Sequence, residues 1–123
     1  MGNRLPGHCY KAVFDDARAI RGRFCVAYVG GAAAEGDPLA GVIATKKTFR
    51  RAHARNRAKR LMREAFRQEA PGLPAGFRCI LIARARMRDG ETAMQDVQAD
   101  LKKILARPRA DAADRRNQTS PNR

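Results

Sequence analysis

Acidic residues are scarce in this sequence, aromatic residues are scarcer still, and tryptophan is absent. Only 12 Asp and Glu oppose 26 Lys and Arg, which leaves a formal net charge of +14 at pH 7. A soluble chain this basic is built to meet a polyanion, and nucleic acid is the commonest one. Membrane surfaces and acidic proteins are the alternatives. Cysteine is also sparse. Cys9, Cys25 and Cys79 are far apart, no CxxC pair occurs, and His8 and His53 are the only histidines. These spacings exclude a recognisable zinc site and a disulfide framework. Cys25 and Cys79 sit in apolar runs and read as small core residues. No apolar run approaches the roughly 20 residues of a spanning helix. No apolar segment follows Arg4, so no secretory signal is expected. A reducing, cytoplasmic setting is expected.

What is present suits one folded domain. Hydrophobic residues make up 44% and charged residues 31% of 123 positions. A chain of that length encloses one core and buries roughly two-thirds of its unfolded surface.

Periodicity gives the element order. Tyr10, Val13, Phe14 and Ala17 form an i, i+3, i+4, i+7 stripe, so a short helix is predicted over residues 8–17. Residues 23–29 alternate in strand fashion. Residues 30–38, rich in Gly and Ala, are a flexible connection. Residues 39–45 form a second strand. A long helix is predicted over residues 52–69, ended by Pro71, which disfavours helical geometry at Ala70. Residues 77–83 are almost continuously apolar, as in a central strand covered on both faces. Asp89-Gly90 reads as a turn, and Thr92 with Gln95 as a capping box. Met94, Val97, Leu101, Ile104 and Leu105 line a last helix that Pro108 is expected to stop. Residues 1–106 are thus the domain, and 107–123 a disordered charged tail. The predicted class is α+β: an α-β sandwich with a sheet of about four strands and three helices.

The long helix carries the strongest functional signal. Ala54, Ala58, Leu61, Met62, Ala65 and Phe66 fall on one side. At 100° per residue, Asn56, Lys59, Arg60, Arg63 and Arg67 gather on the other. From Lys46 to Arg67 there are 10 Lys or Arg and 1 acid, Glu64, a formal charge of +9. A solvated face ordinarily mixes signs to gain i,i+4 pairs; this one does not. Its cations are mostly arginines, whose planar guanidinium forks onto phosphate oxygens better than an ammonium does. Asn56 both donates and accepts, which suits a 2′-hydroxyl or a base edge. Lys46, Lys47, Arg50 and Arg51 extend the positive surface along the loop before the helix.

The run Lys46-Lys47, then Arg55-Asn56-Arg57-x-Lys59-Arg60-x-x-Arg63-Glu64, then Phe66-Arg67, resembles the protein component of bacterial ribonuclease P. The resemblance covers about residues 4–106. It implies a left-handed strand–helix–strand crossover, against the usual right-handed rule. It implies a large catalytic RNA as partner, one protein per RNA, and removal of the 5′ leader from precursor tRNA. Mg²⁺ ions held by the RNA and substrate would activate the attacking water. The RNA-subunit-binding set it implies is Lys46, Lys47, Arg50, Arg51, Arg55, Asn56, Arg57, Lys59, Arg60, Arg63 and Arg67. Arg57 has an alternative place at the helix margin near Glu64.

Tyr10, Phe14 and Tyr28 form a second group. Plain core packing is one reading, yet the two hydroxyls sit better at an edge or groove than in a sealed core. The resemblance makes these three the leader-binding residues, in a cleft between the first helix and the sheet. Unpaired bases stack on such rings for roughly 1–3 kcal/mol each. Lys11 and Arg23 are candidates for nearby charge. Pro6, Gly7 and His8 stand where the family has more basic residues, and Asp16-Ala17-Arg18 lacks the family's glycine.

No pair of acids and bases forms a recognisable catalytic constellation, so no catalytic residue and no protein metal site are assigned. His53 reads as a solvated histidine. Two rivals remain. A structural ribosomal protein fits the size and charge equally well. A helix-turn-helix DNA regulator requires a helix just upstream of the basic one, where residues 39–47 read as strand.

Overall fold

Alternation along the strands decides which side of the sheet each helix covers. The computed structural model describes residues 3–88 and 90–117, with side chains placed as far as residue 106. A 3₁₀ turn, Gly7–Cys9, leads into α1 (Tyr10–Asp15). The strands are β1 (Arg18–Arg21), β2 (Cys25–Val29), β3 (Leu39–Ile43) and β4 (Arg78–Ala83). Helix α2 (Ala52–Glu69) joins β3 to β4, and α3 (Met94–Asn117) ends the described chain. The sheet order is β1-β2-β4-β3. The β1–β2 and β2–β4 pairs are antiparallel, and β3–β4 is parallel with α2 as its crossover.

One face of the sheet presents Ile20, Cys25, Ala27, Ala40, Val42, Cys79, Leu81 and Ala83, all buried with residues of α2 and α3. Most are small, so two helices settle close against the backbone. Ala58, Met62, Ala65 and Phe66 of α2 and Val97, Leu101, Ile104 and Leu105 of α3 complete this core. Each large side chain sealed there contributes about 1.5–3 kcal/mol. The opposite face presents Tyr28, Leu39, Ile43 and Ile82, only partly buried, around Leu5, Val13 and Ile80. The single short helix α1 packs on this side, and six residues cannot roof four strands. The remainder of that face stays partly exposed.

Several expectations are corrected here. Strand β1 lies in a stretch assigned to no element. Its burial pattern has one inward residue, Ile20, so it carries no alternation to read. The Thr92–Gln95 capping box is not made. Helix α3 starts one residue later, and the Asp96 carboxylate accepts the Ala93 N–H at 3.2 Å instead. Pro108 does not end α3, which continues to Asn117 through the first part of the expected tail. Proline's φ is already helical; inside a helix it removes one hydrogen bond and crowds a carbonyl without forbidding continuation. Asp89, half of the expected turn, and residues 118–123 of the expected tail lie outside the described residues.

Candidate nucleic-acid interface

The loop between β3 and α2 is held from within, and that determines where its cations point. Thr45 opens it: its hydroxyl accepts the Thr48 N–H at 3.2 Å, and its carbonyl accepts the Phe49 N–H at 2.8 Å. Phe49 is fully buried and anchors the loop in the core. Lys46, Lys47, Arg50 and Arg51 are left exposed around that anchor. No side chain caps α2 at Arg51, as the lack of a capping motif suggested.

Along α2 the two faces separate as predicted, with three exceptions among the cations. Asn56, Arg60 and Arg63 are exposed, and Lys59 is half-buried. Arg55 folds back to donate to the carbonyls of Phe49 (2.9 Å) and Arg50 (3.2 Å), so it clamps the loop. Arg57 turns from the cationic face altogether. Its guanidinium donates to the Thr92 carbonyl ahead of α3, which also removes it from the alternative place near Glu64. Arg67 is bonded to Glu64 through two nitrogens, and Gln68 donates to the same carboxylate. Those hydrogen bonds, Arg67 first, hold the Glu64 carboxyl below its ordinary range and push Arg67 upward. Lys11 and Asp15 form a second ion pair at 2.7 Å, away from α2. Seven cations therefore face outward with no carboxylate of this kind: Lys46, Lys47, Arg50, Arg51, Lys59, Arg60 and Arg63.

The aromatic group lies on the α1 side of the sheet, and Tyr10 reaches the edge strand β3. Burial, and next the nearby Arg4 guanidinium, lower the Arg63 pKa, while Tyr10 acts the other way. Arg63 lines one hollow with Arg4, Arg60, Ala40 and Val42 at the edge of the sheet, and it stays charged at neutral pH. Arg4 is placed by a parallel bridge to Ala40, with the Leu5 N–H on the Ala40 carbonyl at 2.9 Å. The Tyr10 ring lies against β3 at Gly41. A Cβ there would meet the ring's Cζ and hydroxyl at 2.4 Å. Phe14 is 40% exposed and meets Tyr28 edge-to-face, with ring centroids 5.5 Å apart. Tyr10, Phe14 and Tyr28 are therefore brought together. Lys11 is occupied by Asp15. Arg23 is on the other side of the sheet, over the Phe24 ring at 5.7 Å, and is not part of this group.

The profile of the ribonuclease P family matches residues 5–109. The chain belongs to that family. The ribonuclease P protein component of Salmonella arizonae is 58% identical over 40 residues, which are 32% of this chain and 34% of that one. The component from Aromatoleum aromaticum is 41% identical over 64 residues, 52% of this chain and 53% of its relative. The matched stretches thus span a third to a half of these ribonuclease P relatives. The fold is that of the ribonuclease P protein from Thermotoga maritima, with a TM-score of 0.73 at 22% identity over 85% of this chain and 96% of that one. The Staphylococcus aureus ribonuclease P protein is similar, with a TM-score of 0.68 over 86% of this chain and 94% of its own.

The site offers binding chemistry. The outward side of α2 and its loop presents N–H donors, and the α1 side of the sheet presents rings. Magnesium needs oxygen ligands, and the one carboxylate on α2's outer side, Glu64, is already taken by Arg67 and Gln68. No group of three or more His, Cys, Asp or Glu gathers among the described residues. His53 is exposed on the first turn of α2 and His8 is exposed in the 3₁₀ turn. No described helix is long and apolar enough to cross a membrane.

Proposed function

We propose that this chain is the protein subunit of a cytoplasmic ribonuclease P, one copy per RNA, and that it acts by binding. The outward cations of α2 and its preceding loop dock the catalytic RNA subunit. The cleft of Tyr10, Phe14 and Tyr28 holds the single-stranded 5′ leader of precursor tRNA. Bond cleavage is assigned to the RNA and to Mg²⁺ held by RNA and substrate, because this chain's surface supplies cations and rings rather than a proton-transfer pair.

One observation carries the reading: Arg60 and Arg63 of α2 line one hollow with Arg4 and Ala40 at the edge strand β3, and the Tyr10 ring lies on that same strand at Gly41. A strand leaving a paired region on α2 passes directly onto rings that stack unpaired bases. Arginines neutralise phosphates there, and the rings accept bases of any sequence. Positioning of this kind lowers a barrier by fixing geometry, with no bond made by the protein. The family match favours this reading over a structural ribosomal protein.

Reconstitution tests it. Adding the protein to a ribonuclease P RNA subunit at low Mg²⁺ should restore 5′-end maturation of a precursor tRNA. Co-sedimentation with ribosomal subunits at high salt, without any rise in maturation, would instead establish the ribosomal reading.

A further inference from the structure

Two cationic surfaces leave the same end of the sheet, and only one belongs to α2. Cys25, the first residue of β2, pairs with Ala83, the last of β4, while Ile43, the last of β3, pairs with Ile82. The β1–β2 turn, the segment after β4 and the loop after β3 therefore emerge side by side, with about 4.8 Å between neighbouring strands. On the far side of that end, a groove of about 880 Å³ opens between the β1–β2 turn, the 3₁₀ turn Ala85–Arg88 and α3. Arg23, Arg86, Arg88 and Lys103 line it, and Arg84 joins Arg23 and Arg86 in the adjoining hollow.

We infer that this groove takes a second stretch of RNA phosphodiester backbone, so that the protein clamps two RNA segments rather than one. The inference rests on the RNA-binding reading above. All five cations are exposed. Three carboxylates lie along the groove with these five cations, Glu91, Asp96 and Asp100, and two of them are committed to backbone. Asp100 accepts the N–H groups of Arg23 and Phe24, each at 2.9 Å, and Asp96 accepts that of Ala93. Two guanidiniums are held in place. Arg84 donates to the Gly22 carbonyl at 2.6 Å, and Arg23 lies over the Phe24 ring. A held guanidinium plane loses less freedom on meeting a phosphate than a free ammonium does. An acidic peptide is the poorer fit. Protein interfaces need an apolar centre, and the groove's ring, Phe24, is 8% exposed.

The test measures binding of the full-length protein to an in vitro transcribed ribonuclease P RNA subunit over a range of salt. Arg86→Ala, Arg88→Ala and Lys103→Ala are combined, since these three carry no structural bond described above. If each contacts a phosphate, the log–log salt slope should fall by about 2–3, and affinity should drop about tenfold to a hundredfold at moderate salt. The Arg86→Lys, Arg88→Lys protein keeps the charge and should keep the slope, which separates charge loss from misfolding. An Arg60→Ala, Arg63→Ala protein is measured in parallel. Wild-type affinity and slope in the groove variant, with a loss in the α2 variant, overturns the groove and leaves the proposed function intact. Wild-type behaviour in both overturns the RNA-subunit reading itself.

Discussion

Replacing Gly41 with alanine should unseat Tyr10 and leave the fold standing. The added methyl would lie 2.4 Å from the tyrosine's Cζ and hydroxyl, well inside contact distance. What must move is the far end of a half-buried side chain, so the strand can stay. Crowding costs about 1–3 kcal/mol, and replacing glycine in a strand returns about 0.5–1 kcal/mol of ordering entropy. The net loss of stability should therefore lie between about 0 and 2.5 kcal/mol. Binding should change more. One base stacked on one ring contributes about 1–3 kcal/mol, so losing the Tyr10 platform raises Kd about 5- to 150-fold. The assay compares precursor and mature tRNA binding to the reconstituted ribonucleoprotein. Only the precursor should weaken, since only it has a leader. A double-mutant cycle sharpens the test. If Gly41→Ala acts through the ring, it should add nothing to Tyr10→Ala. Equal losses for both tRNAs, or full additivity with Tyr10→Ala, would refute the reasoning.

Other perturbations separate structural residues from binding ones. Arg57→Ala removes the bond from α2 to the Thr92 carbonyl and should lower stability by about 1–3 kcal/mol; its RNA affinity should fall less than that of Arg60→Ala, and the reverse order would return Arg57 to the RNA face. Asp100→Ala leaves two N–H groups of the β1–β2 turn unpaired, at about 1.5–3 kcal/mol per charged bond lost; an unchanged melting temperature would contradict the turn's dependence on it. Burial, and then Asp100, push the Cys25 thiol from its ordinary 9.0 up to about 12, and Cys79 is raised by the same burial. The folded protein keeps protons that the unfolded chain loses above pH 9. This stabilisation is therefore complete below pH 9 and fades as pH climbs towards 12, by about 1.4 kcal/mol per unit per thiol. Urea midpoints across that window should fall less steeply in Cys25→Ala; an unchanged slope would refute the assignment.

How much of this was legible in the sequence depends on what each feature rests upon. Helix α2 was readable because its apolar spacing, Ala54 to Phe66, runs over more than three turns and Pro71 fixes its close, while its start carries no capping motif. Strand β4 was readable because both its faces are covered. Strand β1 was not: it is short, lies at the edge and buries one residue. The cationic face followed from helical geometry alone, but the use of each arginine did not. Arg67 falls at a position indistinguishable in periodicity from Arg60 and Arg63, whereas Arg55 and Arg57 lie at the two margins of the apolar side, where periodicity does not say what they meet. The partners decide their use: the Phe49 carbonyl in the preceding loop for Arg55, the distant Thr92 carbonyl for Arg57, and the Glu64 carboxylate one turn back for Arg67. Asp100 and the groove beside it were illegible for the same reason, since they join segments some 76 residues apart. The seat of Tyr10 on Gly41 had a faint signal, a glycine inside an otherwise apolar strand.

The central claim is that the outward arginines of α2 meet phosphate. Its most direct test is the affinity of an Arg60→Glu, Arg63→Glu protein for a ribonuclease P RNA subunit, measured by filter binding across salt concentrations. Both side chains are exposed and neither is ion-paired among the described residues, so the fold should survive. Binding should collapse, and the remaining salt dependence should be shallower by about one unit or more for each cation reversed. Wild-type affinity with an unaltered salt slope would show that RNA docks elsewhere.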